Sequence, residues 1–155
     1  MQKDSGVTLF ELMTVVAIIA ILGSIALPGF MGWLPNYRMR SAADELLSIL
    51  WLSQKRAARE NADVAIDFDF ANDSYVACLV VSDNGTCDPG EQVVKSVQMH
   101  PGIDLEDVDL GNFQFDRRGF PTDVANNPVS GNLTVANDSQ TRTINLTLAG
   151  SLSIQ

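Results

Sequence analysis

The chain has 155 residues, room for one domain with a modest core and not comfortably for two. Its net charge of −9 is uneven: residues 1–62 hold six Lys/Arg against five Asp/Glu, and residues 63–155 hold four against fourteen. An acidic second part repels phosphate, which argues against nucleic acid as a direct partner, and it keeps such a domain soluble.

The first element is apolar. Residues 12–34 carry no charged side chain. As a helix they would run about 35 Å at 1.5 Å per residue, against about 30 Å of hydrocarbon in a bilayer. A cleaved secretory signal has a shorter apolar core and a small-residue cleavage site. Here the run continues through Pro28, Trp33 and Leu34, so a retained single span is expected. Only Lys3 precedes it, while Arg38, Arg40, Lys55, Arg56 and Arg59 follow. By the positive-inside rule that balance points the second part toward the cytoplasm. Glu11 stands at the head of this stretch. A carboxylate in hydrocarbon costs about 2.5–3.5 kcal/mol on insertion scales. Near a helix start it favours the dipole, which tolerates the acid but gives it no task.

Pro28 and Pro35 each predict a kink or local break, because proline removes a backbone bond and crowds the preceding turn. From Tyr37 the spacing of Met39, Ala43, Leu46, Leu47, Leu50 and Ala57 predicts an amphipathic helix ending near Asn61. Lys55, Arg56 and Arg59 read as its solvated face. The period then becomes two: Val64, Ile66, Phe68 and Phe70 alternate with Ala65, Asp67 and Asp69, a half-buried strand whose acids are its wet side. A second strand, SYVACLVV, follows a turn at Asn72-Asp73, with others expected at 92–99, 112–116, 132–136, 142–148 and 151–155. Turns are marked by Asp88-Pro89-Gly90, Arg118-Gly119 and Asn126-Asn127-Pro128. One helix followed by successive strands gives an α+β fold, a helix packed on antiparallel β-sheet.

Cys78 and Cys87 are the only cysteines and flank an Asn84-Gly85 turn signal, so a bridge across a hairpin-sized loop fits them, and two unpaired buried thiols are the alternative. A bridge implies an oxidising compartment, opposite to the direction the charges suggest. With His100 the sole histidine, zinc has too few ligands and no metal is expected.

The segment GVTLFELMTVVAIIAILGSIALP resembles the N-terminal signature of type IV pilins and pseudopilins. The resemblance implies a leader, residues 1–6, that a prepilin peptidase cuts between Gly6 and Val7, followed by N-methylation of Val7. It makes residues 7–34 the transmembrane and assembly helix, 35–62 the amphipathic helix of the globular domain, and 63–155 a β-rich extracytoplasmic domain. Glu11 would then pair with the methylated amine of a neighbouring subunit, and Pro28 would mark a bend that fits the helix into a filament. The implied partners are other pilins or pseudopilins, the peptidase, an inner-membrane assembly platform and membrane lipid. The implied location is the bacterial inner membrane, single-pass, with the C-terminal domain periplasmic, and then the filament. Further on, NFQFDRRGFPTD, GNLTV and RTINLTLAGSLSI are similar to the C-terminal pattern of the GspH/FimT group of minor pilins and pseudopilins, carried by Phe115, Gly119, Gly150 and Leu152. A minor pilin of a type IV pilus, in a priming or tip role, is the first reading, and a type II secretion pseudopilin the second.

The remaining residues suggest no catalyst and no cofactor. No nucleophile elbow, phosphate loop or zinc-helix motif occurs, and His100 reads as a loop residue. SDNGTCD offers oxygens for calcium but fits no known loop spacing, and the N-x-S/T triplets at Asn72, Asn84, Asn132, Asn137 and Asn145 carry no inference of glycosylation. Rival readings are a membrane-tethered extracytoplasmic binding protein and a membrane-tethered enzyme.

Overall fold

A computed structural model describes residues 8–81, 85–107 and 109–155, the side chains of 26–31 and 107 excepted. It separates into two compact units, Met1–Pro35 and Asn36–Gln155, which are taken one at a time.

Helix α1 spans Leu9–Glu60, 52 residues. Of the kink or local break expected at Pro28 and Pro35, the break does not occur: the backbone is helical through both. Proline forfeits a single ladder bond, a loss that the turns on either side can absorb. In the second unit the helix buries Met39, Ala43, Leu46, Leu50, Ser53 and Ala57, each 0% exposed. Their spacing of four, three, four, three, four keeps them on one stripe. Three of the six are small, which lets backbone come close beneath them. Helix α1 ends where Asn61 turns left-handed at φ 51, and the Ala62 N–H donates to the Ala57 carbonyl at 3.3 Å. That pairing closes a helix whose last carbonyls would otherwise be open.

Nine strands follow among the described residues: β1 Val64–Asp69, β2 Ser74–Leu79, β3 Gln92–Gln98, β4 Asp104–Asp107, β5 Phe113–Phe115, β6 Pro121–Thr122, β7 Gly131–Ala136, β8 Thr141–Leu146 and β9 Leu152–Ile154. They form two antiparallel sheets rather than one, ordered β3-β2-β1-β5-β6 and β4-β7-β8-β9. Val64, Ile66, Phe68, Phe113 and Phe115 of the first sheet join Leu133, Val135, Ile144 and Leu146 of the second, and the helix stripe, in one buried cluster. Phe113 and Phe115 meet edge to face with ring centres 5.2 Å apart. Full burial of such a side chain contributes about 1.5–3 kcal/mol, so this cluster dominates the domain's stability.

The expected wet side of β1 is only partly wet. Ala65, Cys78, Gln114 and Thr122 lie in one cross-strand row, and all four are buried. The Cys87 end of the loop after β2 folds back over this face. Its N–H donates to Asp67 Oδ2 at 2.8 Å, and its sulfur lies 3.8 Å from the Val76 carbonyl oxygen. Asp69 alone of the two acids is exposed, and Asn72 in the adjoining turn donates to it.

Candidate assembly site

The N-terminal residues build a helix start before they build anything else. The Thr8 hydroxyl accepts the Glu11 N–H at 3.2 Å, and the Thr8 carbonyl accepts the Leu12 N–H at 3.1 Å. Thr8 is therefore the N-cap, and Thr-x-x-Glu reads as a capping-box sequence that places Glu11 in the first turn. Four backbone N–H groups open toward that end, so a carboxylate is favoured there by the dipole. Gly6 and Val7, the expected cleavage pair, lie outside the described residues. Pro28 has helical backbone, and its side chain lies outside them too.

Around and beyond Glu11 the helix shows apolar side chains on every side. Leu9 is 77% exposed, Phe10 80% and Ile25 73%, with Leu12, Met13, Val16, Ile19 and Leu22 also exposed. A helix apolar all round is one that lipid or other helices must cover. Among the described residues no helix is long and apolar enough to cross a membrane.

In the second unit the structure forms the bridge expected between the two cysteines and brings together other residues that the sequence left separate. Cys78 and Cys87 form a disulfide with Cα atoms 5.6 Å apart. Glu91 holds the loop between them: its carboxylate accepts the Val81 N–H at 2.9 Å and the Asp88 N–H at 3.1 Å. Gly85 lies so close to Val124 that an added Cβ would sit 2.7 Å from Val124 Cγ2, and its φ of +68 also favours glycine.

Gly119 and Gly150 mark two turns whose carbonyls both accept the side-chain amide of Gln54, each at 2.9 Å. Their φ angles are +85 and +76, and a Cβ on Gly150 would stand 2.5 Å from Gln54 Nε2. The glycines are thus where α1 is fastened to two strand connections. Gln54 itself carried no sequence signal, since a glutamine on a helix looks solvent-facing until its partners are known.

Between them, Asp116 organises the turn after β5. Its Oδ1 accepts the N–H groups of Arg118 and Phe120, both at 2.9 Å. Its Oδ2 accepts Arg118 Nε at 2.9 Å and Nη2 at 2.7 Å. Burial disfavours the charged carboxyl, but the Phe120 N–H and the Arg118 donors outweigh it and hold Asp116 below the ordinary carboxylate value. Asn72 lowers Asp69 in the same sense, and Asn127 lowers Asp123.

The other candidates fall as follows. His100 is exposed after β3. Arg56 and Arg59 pair with Glu60, and Lys55 sits 5.6 Å over the Trp51 ring, as suits a solvated helix face. Asn132 and Asn145 hydrogen-bond across β7 and β8 at 2.7 Å, Asn72 and Asn137 shape turns, and Asn84 lies outside the described residues. No cluster of three metal-ligating side chains occurs among the described residues.

Comparisons with known proteins fit this architecture. Residues 1–27 match the family model described as the prokaryotic N-terminal methylation motif. Solved structures with the same fold include the minor pseudopilin EpsH of the Vibrio cholerae type 2 secretion system, at 12% identity and TM-score 0.58, covering 76% of this chain and 96% of that one. Another is the type IV minor pilin FimU of Pseudomonas aeruginosa, at 14% identity and TM-score 0.62, covering 77% of this chain and 90% of that one. No curated protein matches. Residues 42–151 match the model of the type II transport protein GspH, and with well over half its length so accounted for, the chain belongs to the GspH family.

Proposed function

We propose that this chain is a minor pilin of a type IV pilus, processed between Gly6 and Val7, N-methylated on Val7 and built into the filament through its N-terminal helix. Family and motif are those of membrane-anchored filament subunits. The observation that carries the reading is Glu11 in the first turn of a helix exposed and apolar on all sides. A lone carboxylate in such surroundings is costly, and a cation on the adjoining molecule makes it tolerable. Two unit charges about 4 Å apart attract by about 4 kcal/mol at an effective dielectric of 20. The methylated amine of Val7 on a neighbour supplies that cation, so Glu11 fixes the axial register of incoming subunits. In this reading the helix crosses the inner membrane once before assembly, the second unit is periplasmic, and Pro28 allows the helix to adapt to the filament. The partners are other pilins, the prepilin peptidase and the assembly platform.

A second reading, a type II secretion pseudopilin supporting protein export, is favoured by the description of the family itself, type II transport. Deleting the gene separates the two. Loss of surface pili with secretion intact supports the first, and loss of exported enzymes with pili intact supports the second. The ion-pair account has its own test. Glu11→Ala is expected to be cleaved and inserted normally and to enter sheared filaments at a tenth of the wild-type level or less. Unchanged incorporation sinks it. Mass spectrometry of the mature subunit should find N-methylvaline at the new terminus, and an intact Met1 would overturn the processing step.

A further inference from the structure

A groove of about 570 Å³ opens on the second unit, far in sequence from Glu11, and has no part in the assembly reading. Its floor includes Gln114 on the outer face of the first sheet. Val80 and Val81 form one wall as the chain leaves β2, and Val124 and Asn126 form the other. At one end lie Asp63, Asp116, Arg117 and Arg118. The disulfide loop and the 123–127 turn meet over this face, where Gly85 abuts Val124.

The wall is apolar and open to solvent: Val81 is 85% exposed and Val124 52%. The charges at the end are arranged with a direction. Asp116 accepts four donors and has little capacity left for an added cation. Asp63 faces Arg117 at 3.6 Å and is only 20% exposed. The two guanidinium groups are the outer members of these pairs, with side chains 60% and 77% exposed. Arg118 spends two of its five N–H donors on Asp116, and its plane is steadied over the Phe120 ring at 5.5 Å. What the groove offers outward is therefore hydrogen-bond donors beside exposed valines. They stand in a region, residues 63–155, with four basic residues against fourteen acidic ones.

A free inorganic anion would gain little, because both arginines already face carboxylates. An occupant has to bring apolar surface as well. We propose that this groove docks an extended segment of a partner polypeptide that carries an Asp or Glu side chain beside aliphatic residues. The carboxylate bridges Arg117 and Arg118, and the aliphatic side chains lie against Val80, Val81 and Val124. Planar, bidentate recognition of carboxylates is what arginine does better than lysine.

The test uses the full chain in detergent micelles and fluorescent synthetic pentapeptides with one central Asp or Glu among Val and Leu, each with its Asn or Gln counterpart. Acidic peptides should bind at least about tenfold tighter than their amides, since one charge-assisted hydrogen bond is worth that much. Arg117→Ala and, separately, Val81→Asp should remove this preference. Both positions are exposed and leave the Asp116 turn whole, so circular dichroism should match wild type. Equal binding of acid and amide peptides overturns the proposal, and so does an acid preference that survives both substitutions. Displacement by millimolar acetate or phosphate as complete as that by unlabelled peptide would mark a small-anion site and refute the peptide. Self-association that Arg117→Ala abolishes would make a second copy the occupant and refute it as well.

Discussion

Asp116 shows how much one side chain can settle. Four donors converge on its carboxylate and close the turn that delivers Gly119 to the helix. Because its folded-state pKa is depressed, the stabilisation it gives is present above the ordinary carboxylate value of 3.8 and is lost as pH falls through the folded value. Asp116→Asn should therefore lower stability near neutrality by about 1.5–3 kcal/mol, the worth of hydrogen bonds to a charged group. Its deficit against wild type should shrink as the medium is made more acidic than pH 4. Urea titrations between pH 3 and 7 read both effects, and a deficit independent of pH would contradict the role given to the charge. Asp116 was invisible in the sequence as a buried anchor, because one acid among fourteen in an acidic stretch has no distinguishing spacing. Thr8 was not singled out in the sequence, although Thr-x-x-Glu ahead of an apolar run is a capping signature.

Among elements, legibility followed periodicity. The stripe Met39–Ala43–Leu46–Leu50–Ala57 and the alternation Val64–Ile66–Phe68 specify a face without outside help, and both faces are buried. Strand β4 was missed: Asp104-Leu105-Glu106-Asp107 has an acidic composition, and its extended form comes from pairing with β7. Strand β6 is two residues long and owes its place to β5. Asp67 was misread as wet because a strand's pattern cannot report that a distant loop covers its second face. The disulfide loop supplies that cover, so its contribution can be measured. Replacing Cys78 and Cys87 together by Ala should cost about 2–3 kcal/mol, the loop-closure value for roughly ten residues. The denaturant midpoint should fall with little change in slope, and under reducing conditions wild type should fall to a similar level. A double variant as stable as the oxidised protein would show that Glu91 and the turn hold the loop unaided.

For the molecule as a whole, the chain divides after Pro35 into two compact units. Every buried residue of the described core cluster lies between Met39 and Leu152, within the second unit. Residues 36–155 expressed alone should remain soluble without detergent, keep near-ultraviolet dichroism and unfold in one cooperative transition. A loose, dye-binding state would mean that the domain depends on the segment removed. The same division separates what function could be read in advance. The residues of the proposed assembly role lie in one N-terminal segment with a signature, whereas the groove gathers residues 63, 80, 81, 114, 116–118, 124 and 126, which no linear pattern joins.

The amide of Gln54 reaches carbonyls 65 and 96 positions further along the chain. A ribosome must therefore deliver almost the entire polypeptide before that amide finds both acceptors. Until then the helix lacks its fastening to the connection between β8 and β9. Biogenesis of this subunit should accordingly be sensitive to late events: a frameshift or stop near residue 149 would be felt first not at the carboxyl end but in the helix made at the start.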